Sequence, residues 1–228
     1  MTEATPLKFR NHLTAPSHYD ATGALLEACR SGHLAFVQWV VGHFSLTADD
    51  PDDVYDGDFP YYASAFSLVC ELGHLELAKW LAATFGLTAA TGGPGVDAAM
   101  RGACRGGHLE VVQWLVAHFN LMSADVCADA VDGLDCLHEA CMNGHLEIAQ
   151  LVAARFDLKA AADRSKVCVA FRHTCSSGHL AVAQWLEAHF GLTPAEAMSD
   201  GNHALLWAGR LGRRDVVRWL ETLYPGSG

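Results

Sequence analysis

Hydrophobic positions along this chain fall into a pattern that repeats. Around Gly144, the residues Leu137, Ala140 and Cys141 recur at helical spacing before the glycine, and Ile148, Ala149, Leu151, Val152 and Phe156 do so after it. Apolar residues three and four apart share one side of a helix, so the pattern predicts two amphipathic helices joined by a tight turn at glycine. Gly-His-Leu marks that turn at Gly32, Gly73, Gly107, Gly144 and Gly178, and a degenerate copy follows at Gly212-Arg213-Arg214. The glycines are 41, 34, 37, 34 and 34 residues apart. A fixed period near this value predicts one helix pair stacked on copies of itself, an all-α solenoid of six repeats with few or no strands.

Several slots recur with the glycine. Cys29, Cys70, Cys104, Cys141 and Cys175 stand three residues before it, where the helix face is apolar or small. Trp39, Trp80, Trp114, Trp185 and Trp219 stand seven residues after it, with Leu151 in the remaining copy. Each tryptophan adjoins an apolar residue, so packing in the core is preferred over a ligand platform; each buried aromatic removes about 150–250 Å² from water. The second helix closes in Phe-x-Leu, as at Phe85-Gly86-Leu87 and Phe156-Asp157-Leu158. Beyond it, Thr193-Pro194-Ala195-Glu196 carries the signature of a helix start, with a capping Thr and Glu and Pro at the first helical position. Thr47-Ala48-Asp49-Asp50 and Ser123-Ala124-Asp125 are weaker versions of that start.

The segment Leu137-His138-Glu139-Ala140-Cys141-Met142-Asn143-Gly144-His145-Leu146-Glu147-Ile148 closely resembles the ankyrin repeat, whose consensus runs Thr-Pro-Leu-His-x-Ala-Ala-x-x-Gly-His-x-x-Val-Val. Six copies cover nearly the whole chain. The resemblance implies a curved solenoid that binds other proteins and has no catalytic activity. Three departures stand out. The family's Thr-Pro is replaced, for instance by Ser64-Ala65 and Asp135-Cys136, so entry to the first helix must differ. The usual period is 33, and Phe stands where the family has the glycine ending its second helix. A subtype whose projecting hairpins are largely replaced by short helices or loops is expected, and its tryptophan-rich style resembles repeats of giant viruses and protists. Residues 1–22 form an N-terminal flank or partial capping repeat, with Asn11-His12-Leu13-Thr14 as its remnant; residues 23–224 form the repeat domain and 225–228 a tail. Arg210, Arg213, Arg214 and Arg218 are expected to give the last repeat a polar, basic capping face.

Composition narrows the partner. Hydrophobic residues make up 51% of the 228 and charged ones 18%, as a buried helical stack requires. A net charge of −11 excludes nucleic acid or an anionic membrane as the main partner, since both need a concentrated basic face. Neither a secretion signal nor an apolar run long enough to span a bilayer is read in the chain. Neighbouring copies of the cysteine slot lie a helix spacing of about 8–10 Å apart, too far for a disulfide. Unpaired thiols, with Cys127, Cys136 and Cys168 outside the slot, indicate a reducing compartment, cytoplasmic or nuclear. A monomer without cofactor, metal or small-molecule substrate is expected.

Candidate partner-binding residues lie in two places. The insertion between the first two repeats holds Asp49, Asp50, Asp52, Asp53, Asp56 and Asp58 with Tyr55, Phe59, Tyr61 and Tyr62. Such a loop could steer and anchor a basic partner, or its aromatics could simply cover the stack. Calcium is a further reading, but the Asp spacing does not match the loop that arranges ligands around that ion. On the first helices, positions five, two and one before the glycine face away from the core, and in the family they line the inner groove. Glu27, Arg30, Leu68, Glu71, Leu72, Arg105, Glu139, Met142, His173, Trp207 and Arg210 are the candidates there. Two other function classes remain: a targeting or regulatory segment of a larger assembly, such as a viral or effector adaptor recruiting host ubiquitination machinery, and a metal-dependent or thiol enzyme using the recurring Cys-x-x-x-His.

Overall fold

A computed structural model describes residues 18–47, 54–55, 59–88, 93–121, 131–159 and 163–224. Six helix pairs follow one another: α1 (His18–Ser31) and α2 (Leu34–Phe44), α3 (Tyr61–Glu71) and α4 (Leu75–Thr84), α5 (Gly93–Gly106) and α6 (Leu109–His118), α7 (Gly133–Met142) and α8 (Leu146–Arg155), α9 (Arg164–Ser177) and α10 (Leu180–Phe190), then α12 (Ser199–Arg210) and α13 (Arg214–Leu223), with a short α11 (Pro194–Ala197) before the last pair. First helices touch in the order α1, α3, α5, α7, α9, α12, and one apolar core runs through the stack. Among the described residues the strands are β1 (Val54–Tyr55) and β2 (Phe59–Pro60), a two-residue antiparallel ladder inside the insertion.

Both turns of the first five repeats use left-handed backbone, as does the glycine turn of the sixth. The repeat glycines have φ from +69° at Gly32 to +92° at Gly178, and from the second repeat on the N–H of the following residue closes the turn, as His74 does on the Val69 carbonyl (2.9 Å) and Arg213 on the Ala208 carbonyl (2.8 Å). At the far end of the second helix, Phe85, Phe119 and Phe156 stay at negative φ. The left-handed residue is the next one: Ser45, Gly86, Asn120, Asp157 and Gly191. The expectation that Phe replaces the terminating glycine is therefore off by one position. The Leu of Phe-x-Leu completes the cap by donating its N–H five residues back, Leu87 to Ala82 (2.8 Å) and Leu158 to Ala153 (2.9 Å).

The first helices begin well before the position of the family's Thr-Pro, so Ser64-Ala65 and Asp135-Cys136 lie inside α3 and α7. Asp132 caps α7 by accepting from the Leu134 and Asp135 amides, and Asp163 does the same for α9 with Ser165 and Lys166. The start at Thr193 forms as its sequence requires, with both halves of the capping box made in α11. Arg164 adds a two-pronged ion pair to Glu196, and with the Thr193 amide and hydroxyl it holds that carboxyl down to about 2. Ala48, the insertion aspartates, the 123–125 start and residues 1–17 lie outside the described residues.

The recurring histidine joins repeats. Each imidazole lies on the glycine of the preceding repeat, His74 on Gly32, His108 on Gly73, His145 on Gly107 and His179 on Gly144. A methyl group on Gly107 would come within 2.4 Å of the His145 ring. His145 Nε2 also donates to the Arg105 carbonyl (3.1 Å). In the last copy Arg213 takes over, its Cδ over Gly178 and its Nε donating to the Ser176 carbonyl (3.2 Å). Arg213 thus belongs to a junction and not to a polar cap.

The tryptophans need a correction. The buried member of each neighbouring pair is the residue after Trp, such as Leu81, Leu115, Leu186 and Leu220, while Trp80, Trp114, Trp185 and Trp219 are half-buried at the edge of the core. Trp114 and Trp185 stack on His118 and His189, one helical turn later. Across the junction Trp114 meets Phe66 edge-on (6.2 Å between centroids) and Trp219 meets Phe171 (6.1 Å).

Candidate functional site

The first-helix face carries a groove between α3 and α5, about 270 Å³, lined by Ala63, Ser64, Ser67, Leu68, Glu71, Gly95 and Ala98. It follows from the small residues of α5. A methyl group on Gly95 would lie 2.9 Å from the Ala63 Cβ, one on Gly102 3.0 Å from the Glu71 Cβ, and one on Gly106 2.3 Å from the Glu71 carbonyl oxygen. Glycine inside a helix costs about 0.5–1 kcal/mol relative to alanine, and here it lets two backbones approach closely. Of the expected site residues, Leu68 and Glu71 line this groove, and Leu72 next to them is exposed. Ala63, Ser64, Ser67, Gly95 and Ala98 were not among the expected residues; the run of glycines in α5 was the available signal.

Other expected residues are engaged with each other. Arg105 places Nε and Nη2 on the two Glu139 oxygens (2.9 and 3.0 Å) and Nη1 near Glu71 (3.4 Å), so it spans three successive repeats. The guanidinium holds the Glu139 carboxyl below the usual range, against the opposing effect of burial. Glu27 and Arg30 are exposed and paired on one helix turn. Met142 is half-buried. Trp207 is exposed with the Arg210 guanidinium 5.3 Å above its ring. Tyr62 is half-buried and stacks on Phe85 (5.4 Å between centroids), so it covers the stack. The side chains of Tyr55, Phe59 and Tyr61 lie outside the described residues.

Cysteine and histidine of one repeat sit in different surroundings, the thiol in the core and the imidazole at the turn. Cys29, Cys70, Cys104, Cys141 and Cys175 are fully buried and free, and burial pushes the Cys29 and Cys175 thiols up to about 12. A nucleophilic or ligating cysteine needs the thiolate, which this environment disfavours. Among the described residues no group of three or more His, Cys, Asp or Glu is placed to hold a metal ion, and no helix is long and apolar enough to cross a membrane.

Residues 66–163 match the family model described as ankyrin repeats, three copies. Over that stretch the chain carries ankyrin repeats. No curated protein matches it. The ankyrin match covers the groove-forming helices from Phe66 onward, and the same glycine turn continues on both sides of it, with His74 on Gly32 before it and Arg213 on Gly178 after it. Ankyrin repeats are protein-protein interaction modules, which makes the solvent-facing first-helix residues the place to look for function.

His173 is expected to make this stack sensitive to acid. It shares a 2.8 Å hydrogen bond with His138, and burial pushes its pKa below the ordinary imidazole value, with His138, Arg172 and His203 acting in the same direction. His179 is lowered by burial first and then by His145 and Arg213. The unfolded chain therefore takes up these protons before the folded one, and stability is lost as pH falls below about 6.5. The melting midpoint should drop between about pH 7 and pH 5. The drop should be smaller in His173→Gln; an equal drop in that variant would show that His173 is not its source.

Proposed function

We propose that this chain is a non-enzymatic scaffold that holds a protein partner on its inner first-helix face, with the α3–α5 groove as the central anchor and the acidic-aromatic insertion ahead of α3 as a flanking contact. The groove carries the reading. It is concave and mainly apolar, has Leu68 in its wall and exposed Leu72 beside it, and ends at Glu71. Because Arg105 gives its two shorter bonds to Glu139, Glu71 keeps acceptor capacity toward a partner. An aliphatic side chain followed by Lys or Arg is the complementary ligand, and the net charge of −11 favours a basic partner over nucleic acid or an anionic membrane. Buried, unpaired cysteines suit a reducing compartment such as cytoplasm or nucleus.

Filling the groove tests this. Ser67→Trp and Leu72→Asp should each weaken binding of an affinity-captured partner by tenfold or more, about 1.4 kcal/mol, with helix content unchanged. Full binding by both variants, in proteins that remain folded, would remove the groove from the interface.

A further inference from the structure

Each junction between repeats is made of the same slots, and the two ends of the described stack present them unfilled. The position four residues after the glycine faces the preceding repeat: Leu77, Val111, Ile148, Val182 and Val216 are at most 2% exposed, but Phe36 in the first repeat is 46% exposed. Trp39, in the slot that meets the preceding repeat's phenylalanine at Trp114 and Trp219, is 57% exposed. His33 is exposed, whereas its four equivalents lie on glycines. At the other end, Leu205 holds the slot where Phe66 and Phe171 receive the next repeat's tryptophan. Leu206 beside it is 55% exposed, and the turn at Gly212 has open space where the other turns, except the one at the far end of each second helix, carry an imidazole or Arg213. The expected polar cap is thus interrupted by an apolar face.

Charge follows the same register. Glu139, five residues before its glycine, pairs with Arg105, two residues before the preceding glycine. Glu27 and Arg210 occupy these two slots at the opposite ends of the stack.

We propose that the ends are mates: the first repeat of one copy docks on the last repeat of a second copy, continuing the solenoid head to tail. Trp39 then covers Leu205, His33 lies on Gly212 and Glu27 pairs with Arg210, while Phe36 is withdrawn from water. Such a contact is heterologous and does not close on itself, so assembly grows with concentration. It stands independently of the groove.

Sedimentation velocity over about two decades of concentration tests it. The wild type should rise above the 24.5 kDa of one chain. Trp39→Glu blocks only the head and Leu206→Glu only the tail, so each alone should remain monomeric. Mixed, they retain one tail and one head and should form a dimer that grows no further. A wild type that stays monomeric throughout overturns the proposal; if a chain lacking residues 1–17 then associates, that segment is the occupant instead. Variants that do not pair on mixing, or that associate alone as the wild type does, overturn it equally.

Discussion

Phe66→Ala is expected to be the most destabilising single truncation in the stack. Phe66 is fully buried in α3 and meets the rings of Trp114 and Phe119 from the next repeat (6.2 and 5.9 Å between centroids). Removing it takes away the transfer energy of the ring and leaves a cavity at the junction of two repeats, about 3–5 kcal/mol in total. Typical domains are stable by about 5–15 kcal/mol, so urea unfolding should show most of the stability gone. Repeat stacks depend on nearest-neighbour contacts, so the loss should fall on the junction between α3–α4 and α5–α6, with hydrogen exchange quickened there first. A loss under about 1 kcal/mol would mean that the ring does not hold this junction.

Gly107→Ala should be nearly as damaging, for a different reason. Its φ of +79° costs an L-residue about 1–2 kcal/mol, and the new methyl must displace the His145 ring, adding an overpacking cost of about 1–3 kcal/mol. Gly86 and Gly191 supply the control. They have φ of +63° and +59°, but nothing lies within 4 Å of a methyl group there, so alanine should cost only the backbone term. Chemical unfolding of the three variants separates turn strain from the contact between repeats. Equal losses in all three would remove the histidine from the account.

Much of this was legible along the chain. Recurrent glycine, Phe-x-Leu and the Thr193 box act through contacts a few residues apart, and local chemistry is what a sequence displays. The tryptophan slot was read as core packing, and four of its members do pack against the core, but Trp and the next residue are both apolar and periodicity could not say that Leu115 goes to the centre while Trp114 stays at its edge. Arg105 and Glu139 each look like exposed, available charges, and only stacking brings residues 34 apart in sequence into a two-pronged pair. The groove was missed because it is shaped by what Gly95 and Gly102 lack. The histidine was assigned correctly to the turn, but its role depends on a glycine in another repeat.

The contact between His145 and Gly107 is the most direct test of the central claim, that the recurring positions exist to join repeats. A double-mutant cycle by urea unfolding, with Gly107→Ala, His145→Ala and both together, measures it. If the ring lies on the glycine, removing it makes room for the methyl group, and the double variant should be more stable than the sum of the single losses predicts by about 1 kcal/mol or more. Losses that simply add would contradict the claim.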